Sequence, residues 1–231
     1  MNSDFFITGK STVNFCEPDI YYIGIGEPLN VLSSIVIVFF GLYGLYNVNY
    51  RFIKDSFYSI PDNKIKFNVL FSLLAMIGLG SMYFHSKLSP FAHWIDIIMI
   101  SLILVYSLYC LDNSFTFVYL KKIKYIIMFI CHIITSLYIP QIHIFLQFFT
   151  GFWIKNKIEH LISLNYITQT SNLDNLTKDY SYIKKYFILS IIFWIIDYFC
   201  CFLIKPYHVH WIFHILIGYV SYNAIKLQKY F

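Results

Sequence analysis

Apolar runs about as long as a bilayer is thick recur along this chain, and they restrict it to helices in lipid. A spanning helix needs roughly 20 mostly apolar residues, and in hydrocarbon every backbone polar group must be bonded within the protein. Such runs fall near 28–47, 66–85, 94–112, 122–139, 141–156, 184–204 and 208–226, with only Pro140 between the fourth and fifth. Charged residues make up 13% of the 231, against about 25% in a soluble domain, too little polar surface to coat a water-soluble globule. The expected fold class is therefore all-α: a polytopic membrane protein built as a seven-transmembrane helix bundle. The first dozen residues lack the basic and apolar regions of a signal peptide, so the first span is expected to target the chain.

The distribution of charge sets an orientation. With the N-terminus outside or lumenal and the C-terminus cytoplasmic, 14 of the Lys and Arg residues face the cytoplasm and 3 (Lys10, Lys87 and Lys205) face outward, as the positive-inside rule asks. The net charge of +5 is dispersed between apolar runs and follows no single basic face, which argues against nucleic acid as a partner. No obligate protein partner is expected; the bilayer itself is the surrounding medium. The chain then divides into a lumenal segment 1–27, a transmembrane domain 28–226 and a cytoplasmic tail 227–231. The loop 157–183 is the longest polar stretch and reads as flexible; its sequon at Asn175 should stay unmodified on the cytoplasmic side. Five cysteines with no CxxC spacing make neither a disulfide scaffold nor a cysteine zinc site.

Ionisable groups at membrane depth are costly and mark function. Span two ends with Ser81 and His85, span three begins with Asp96, span six ends near Asp197, and span seven begins with His208, His210 and His214. In the predicted topology all of these lie at the outer end of the bundle. His210 and His214 stand four residues apart, on one helix face, a spacing that lets two imidazoles bind one metal ion. With His85 they fill three tetrahedral positions and leave the fourth for water, the arrangement of a catalytic zinc. Asp96 can accept a proton from that water, and Ser81 can bond a developing oxyanion. Taken singly, each feature has a plain structural reading: many HxxxH pairs bind no metal, Ser81 can bond its own helix, and Asp96 can cap a helix or be solvated. Only the joint pattern points to a metal centre. His208 reads as a decoy on a different face from His210, and His93, His132, His143 and His160 read as interfacial, core or loop histidines without such company.

These residues carry a resemblance to the alkaline ceramidases, seven-helix zinc amidases of the superfamily that includes adiponectin-receptor-like and Per1-like proteins. GLGSMYFHSKLSPFAHWID is similar to that family's G-x-x-S-x-x-F-H-x-x-L followed by Asp, and HWIFHILIGYVSY to its C-terminal histidine motif. The resemblance implies zinc ligands His85, His210 and His214, with Ser81 and Asp96 completing the site. NFCEPD…GEPLNVLSS resembles the family's calcium-binding segment, which implies calcium ligands Asn14, the Phe15 carbonyl, Glu17, Asp19 and Glu27; otherwise this is a solvated acidic segment in which Glu27 caps the first helix. Asn14 and Phe15 depart from the family's Asp and Trp, and Ile97 follows Asp96 where an acidic residue is common. Cys16 and Cys201 (or Cys200) both fall on the predicted oxidising side, and a disulfide or two thiols are both open readings.

The implied activity is zinc-dependent hydrolysis of the N-acyl amide of ceramide, a membrane lipid, in the endoplasmic reticulum or Golgi membrane. A related zinc hydrolase acting on an ester, of the kind that remodels GPI lipids, is the nearest alternative. A non-catalytic receptor or scaffold with a structural metal is the third.

Overall fold

The computed structural model describes residues 7, 16–18, 24–51, 61–112, 118–167, 173–200 and 208–231. Seven α-helices account for nearly all of them: α1 (Pro28–Arg51), α2 (Pro61–Lys87), α3 (Pro90–Leu111), α4 (Val118–Tyr138), α5 (Pro140–Ile167), α6 (Leu173–Phe199) and α7 (His210–Leu227), ending in a short 3₁₀ turn. Proline opens α1, α2, α3 and α5, where its missing N–H is no loss and its fixed φ favours the first helical turn. Ser89 caps α3 by accepting the Ala92 N–H at 3.2 Å.

Three helices, α1 to α3, are long and apolar enough to cross a bilayer. The other four carry lysines, amides or histidines that dilute their apolar runs. Large apolar side chains such as Leu32, Phe39, Phe145 and Phe149 are exposed on the outside, a surface suited to lipid and not to water. The chain is a membrane protein on these grounds.

Small residues bring α1 against α2. A Cβ on Gly78 would stand 2.6 Å from the Val38 nitrogen and 3.0 Å from the Ser34 carbonyl oxygen, inside contact distance. Apolar association within lipid relies on such close approach. α7 packs on the other flank of α1 and against α6, while α3 joins α2 to α4 and α5. Phe67, Leu70, Phe71 and Leu74 of α2 form the centre of the main core. At the other end of α3, buried Asp112 accepts from Tyr125 at 2.7 Å and Lys124 at 3.2 Å, with Lys157 at 3.7 Å, and so ties α3 to α4 and α5.

The 157–183 stretch departs from expectation. Its described residues are helical: 157–167 belong to α5 and 173–183 to α6. Ile158, Leu176 and Ile183 are buried in a shared cluster, and Glu159 accepts from Lys155 and from Tyr180, each at 2.8 Å. The Lys155 bond holds Glu159 below the usual carboxylate range. The apolar residues sit at helical spacing among polar ones, which disguises the amphipathic pattern as a loop.

Gly78→Ala is expected to lower the thermal midpoint in detergent, by overpacking of about 1–3 kcal/mol. Gly151→Ala, with open space around its added methyl, should leave the midpoint unchanged.

Candidate metal centre

His85 lies in the last turn of α2 and His210 and His214 in the first two turns of α7. All three are buried, and one ligand atom from each lies within 4.8 Å of the others. Their ring centroids are 4.6 to 5.3 Å apart. The expected cluster of histidines from two helices is therefore assembled.

Their outward bonds decide which ring atom faces the centre. His85 Nδ1 is 2.5 Å from Glu27 Oε2. His214 Nδ1 is 2.8 Å from Ser33 Oγ. The Ser33 hydroxyl donates to the Asn30 carbonyl at 3.0 Å, so its oxygen accepts the His214 N–H. His210 Nδ1 stands 3.6 Å from Asp197 Oδ2. Bonding of Nδ1 to an outer partner in His85 and His214 leaves Nε2 of those rings to serve as the ligand atom, while His210 Nδ1 stays beyond hydrogen-bond distance of Asp197. An outer partner on the second ring nitrogen is how proteins fix the tautomer of a metal-binding histidine. Three imidazole nitrogens at this separation could hold a metal ion, and such a donor set is one that zinc takes.

The backbone around the centre is built for this. Leu88 takes a left-handed conformation (φ 47°) and its N–H closes the end of α2 on the Phe84 carbonyl at 2.7 Å, a helix stop usually left to glycine. Its side chain is buried. The segment before α1 lies across this end: Gly26 N–H donates to Ser86 O and Glu27 N–H to His85 O. Glu27 is thus pinned to His85 by main chain and side chain alike. Asp197, fully buried near the end of α6, also accepts the Cys16 N–H at 3.3 Å.

Ser81 Oγ lies 3.4 Å from His214 Nε2 and 3.0 Å from Ser34 Oγ. Asp96 approaches from α3 where Gly80 leaves room; a Cβ there would sit 3.3 Å from the Asp96 Cα. Asp96 Oδ1 is buried and has no hydrogen-bond partner among the described residues. Ser81, Asp96 and the three histidines line one cavity of about 280 Å³, whose remaining wall is mostly apolar, including Ile37, Leu74, Ile100, Phe148 and Phe213.

His208 stays outside the cluster. Its backbone is left-handed (φ 36°) and its Nδ1 lies 2.9 Å from the Cys16 carbonyl oxygen, so it holds the N-terminal segment. Cys200 carries a thiol, while Cys201 lies outside the described residues.

Of the expected calcium ligands, Asn14, Phe15 and Asp19 lie outside the described residues. Glu17 accepts the N–H groups of Leu29 and Asn30 at 2.7 and 2.9 Å. Glu17, not the Glu27 side chain, therefore caps α1. Burial pushes Glu17 up while those two bonds pull it down. Burial pushes Glu27 up to about 7, opposed by its bond from Asn30. Glu27 Oε1 is buried without a partner among the described residues. An unpaired carboxylate oxygen beside a second carboxylate fits a hard cation.

Sequence reasoning missed two things. The outer partners Ser33 and Glu27 reach their histidines across long stretches of chain, with no local spacing to reveal them. His132 and His143 are not isolated: both are fully buried, and they face each other across 3.4 Å between α4 and α5.

Comparison with known protein families matches residues 8–231 to the family described as Ceramidase. No curated protein matches the chain. Glu27→Gln is expected to weaken metal retention about 10–100-fold in chelator competition, while the helical content stays at the wild-type value.

Proposed function

The chain belongs to the ceramidase family, and from that premise we propose that it is a zinc-dependent amidohydrolase that cleaves ceramide to a sphingoid base and a fatty acid within the membrane. The observation that carries this reading is the joint one: three clustered imidazoles, a serine and a carboxylate with one oxygen unpartnered among the described residues, all on the wall of one largely apolar cavity. Zinc at His85, His210 and His214 would supply a Lewis acid for the amide carbonyl and a nucleophilic hydroxide near neutral pH.

The chain's own residues do the rest. The apolar wall takes the lipid tails and excludes bulk water, which strengthens every polar contact inside. Asp96, with its unpaired oxygen, takes the proton of the attacking water and returns it to the departing amine nitrogen. Ser81, beside His214, donates to the carbonyl oxygen as negative charge develops there. Ser33, Glu27 and Asp197 keep the imidazoles oriented. Asn14, the Phe15 carbonyl, Glu17, Asp19 and Glu27 would supply the oxygen ligands of a calcium ion.

The helices are read as seven spans, with the 1–27 segment lumenal, the 28–226 bundle catalytic and the 227–231 tail cytoplasmic. The enzyme then works from the lumenal side of the endoplasmic reticulum or Golgi membrane, on a substrate that arrives laterally from the bilayer. The lysine asymmetry supports this orientation.

Purified protein given acyl-labelled ceramide is expected to release labelled fatty acid, and a strong chelator should stop it. His210→Ala should lose both metal and activity; full activity in that variant overturns the assignment. Asp96→Asn should keep the metal and lose about 10²–10⁴-fold in kcat.

A further inference from the structure

A second polar centre lies within the bundle, where α3, α4 and α5 meet. It contains Thr150, His132, His143, Ser101 and Gln147, and the zinc chemistry uses none of them. Its proton positions follow from its fixed ends. The Thr150 hydroxyl donates to the Leu146 carbonyl at 2.8 Å, so its oxygen accepts from His132 Nε2 at 3.1 Å. His132 Nδ1 is then an acceptor, facing His143 Nε2 at 3.4 Å. The Ser101 hydroxyl donates to the Ile97 carbonyl at 2.9 Å, so its oxygen also accepts from His143 Nε2, at 3.0 Å. Gln147 Nε2 donates to Ile97 O at 3.2 Å and to Ser101 Oγ at 3.4 Å. Flipping that amide would set oxygen against carbonyl oxygen, so its orientation is determined.

Every donor in this network is used, and two acceptors are left over. His143 Nδ1 is buried and has no hydrogen-bond partner. Gln147 Oε1 has none among the described residues, and Gln147 lines the cavity that holds Ser81, Asp96 and the histidines. With Nε2 engaged on α3, the cavity-lining Gln147 keeps Oε1 as its available acceptor. Gln147 bonds to Ile97 and Ser101, one and five residues beyond Asp96, so it sits along α3 from Asp96 by a rise of roughly 2–8 Å.

We propose that Gln147 Oε1 accepts a hydrogen bond from a hydroxyl on the lipid chain, close to the scissile amide, and is a specificity-determining residue of the site. This rests on the amidohydrolase reading and deepens it. In a ceramide, the secondary hydroxyl one carbon beyond the amide-bearing carbon is a donor at about this reach. The acyl region of a diacylglycerol lipid offers only acceptors, which would meet Gln147 oxygen to oxygen. A buried polar group built to bond a substrate hydroxyl discriminates against the analogue that lacks it.

The test compares ceramide with its analogue in which that secondary hydroxyl is replaced by hydrogen, on wild type and on Gln147→Leu. Wild type is expected to favour the hydroxylated substrate about tenfold in kcat/KM, the scale of one hydrogen bond. Gln147→Leu should cleave the deoxy analogue at the wild-type rate, which also reports a sound fold, and should lose the preference. Equal cleavage of both lipids by wild type, or full discrimination retained in Gln147→Leu, overturns the proposal. Equilibrium binding of the same two lipids to His214→Ala protein supplies a readout independent of hydrolysis. Tenfold tighter binding of the hydroxylated lipid with no turnover by wild type would sustain the subsite and sink the amidase reading; equal binding would sink the subsite.

Discussion

Three imidazoles crowded within 4.8 Å of one another in the interior of a lipid-facing bundle can persist only if none is charged and each is held in one tautomer. Burial of an unpaired charge costs several kcal/mol, and a polar ring atom without a partner costs about 1–3 kcal/mol. For two of the rings the protein meets these demands through outward bonds from Nδ1, to Glu27 and Ser33; Nδ1 of His210 stands 3.6 Å from Asp197. The rest of the architecture follows from where those partners must sit. α1 carries Ser33 and Ser34 and has to lie between α2 and α7, which explains the absence of side chains at Gly78 and its neighbours along that seam. The segment ahead of α1 has to fold over the end of α2 to bring Glu27 to His85.

The same logic separates two polar centres in one bundle. The histidine cluster groups three imidazoles that could hold a metal ion with Asp96, whose Oδ1 has no partner among the described residues. Around His132 and His143, donors and acceptors are matched nearly to the end, and the network stops on an amide oxygen at the cavity wall. The first suits bond cleavage, the second recognition. Both open on one cavity of about 280 Å³, so the reacting amide and the chain next to it can be held together. That pairing of chemistry with a reader of the adjoining chain is what an enzyme acting on one class of lipid amide requires.

Much of this was legible in the amino-acid order. The seven apolar runs each became a helix, and the HxxxH pair, His85, Ser81 and Asp96 came together as their spacing on helix faces implied. What could not be read were relations between distant segments. The bond from Glu27 to His85 could not be read because nothing in the neighbourhood of Glu27 names a residue 58 positions away. His132 and His143 looked isolated because their partnership depends on a turn at Pro140 that folds α5 back on α4. The 157–183 stretch looked like a loop because its apolar residues are outnumbered by polar ones, although their period is helical.

X-ray absorption at the zinc edge of the purified protein measures the composition of the metal centre directly. About three imidazole nitrogens at roughly 2.0–2.1 Å and a lighter oxygen ligand at a similar distance are expected, with the imidazole scattering reduced in a His214→Ala protein. A sulfur shell near 2.3 Å, or a first shell with no imidazole scattering, would contradict the three-histidine centre.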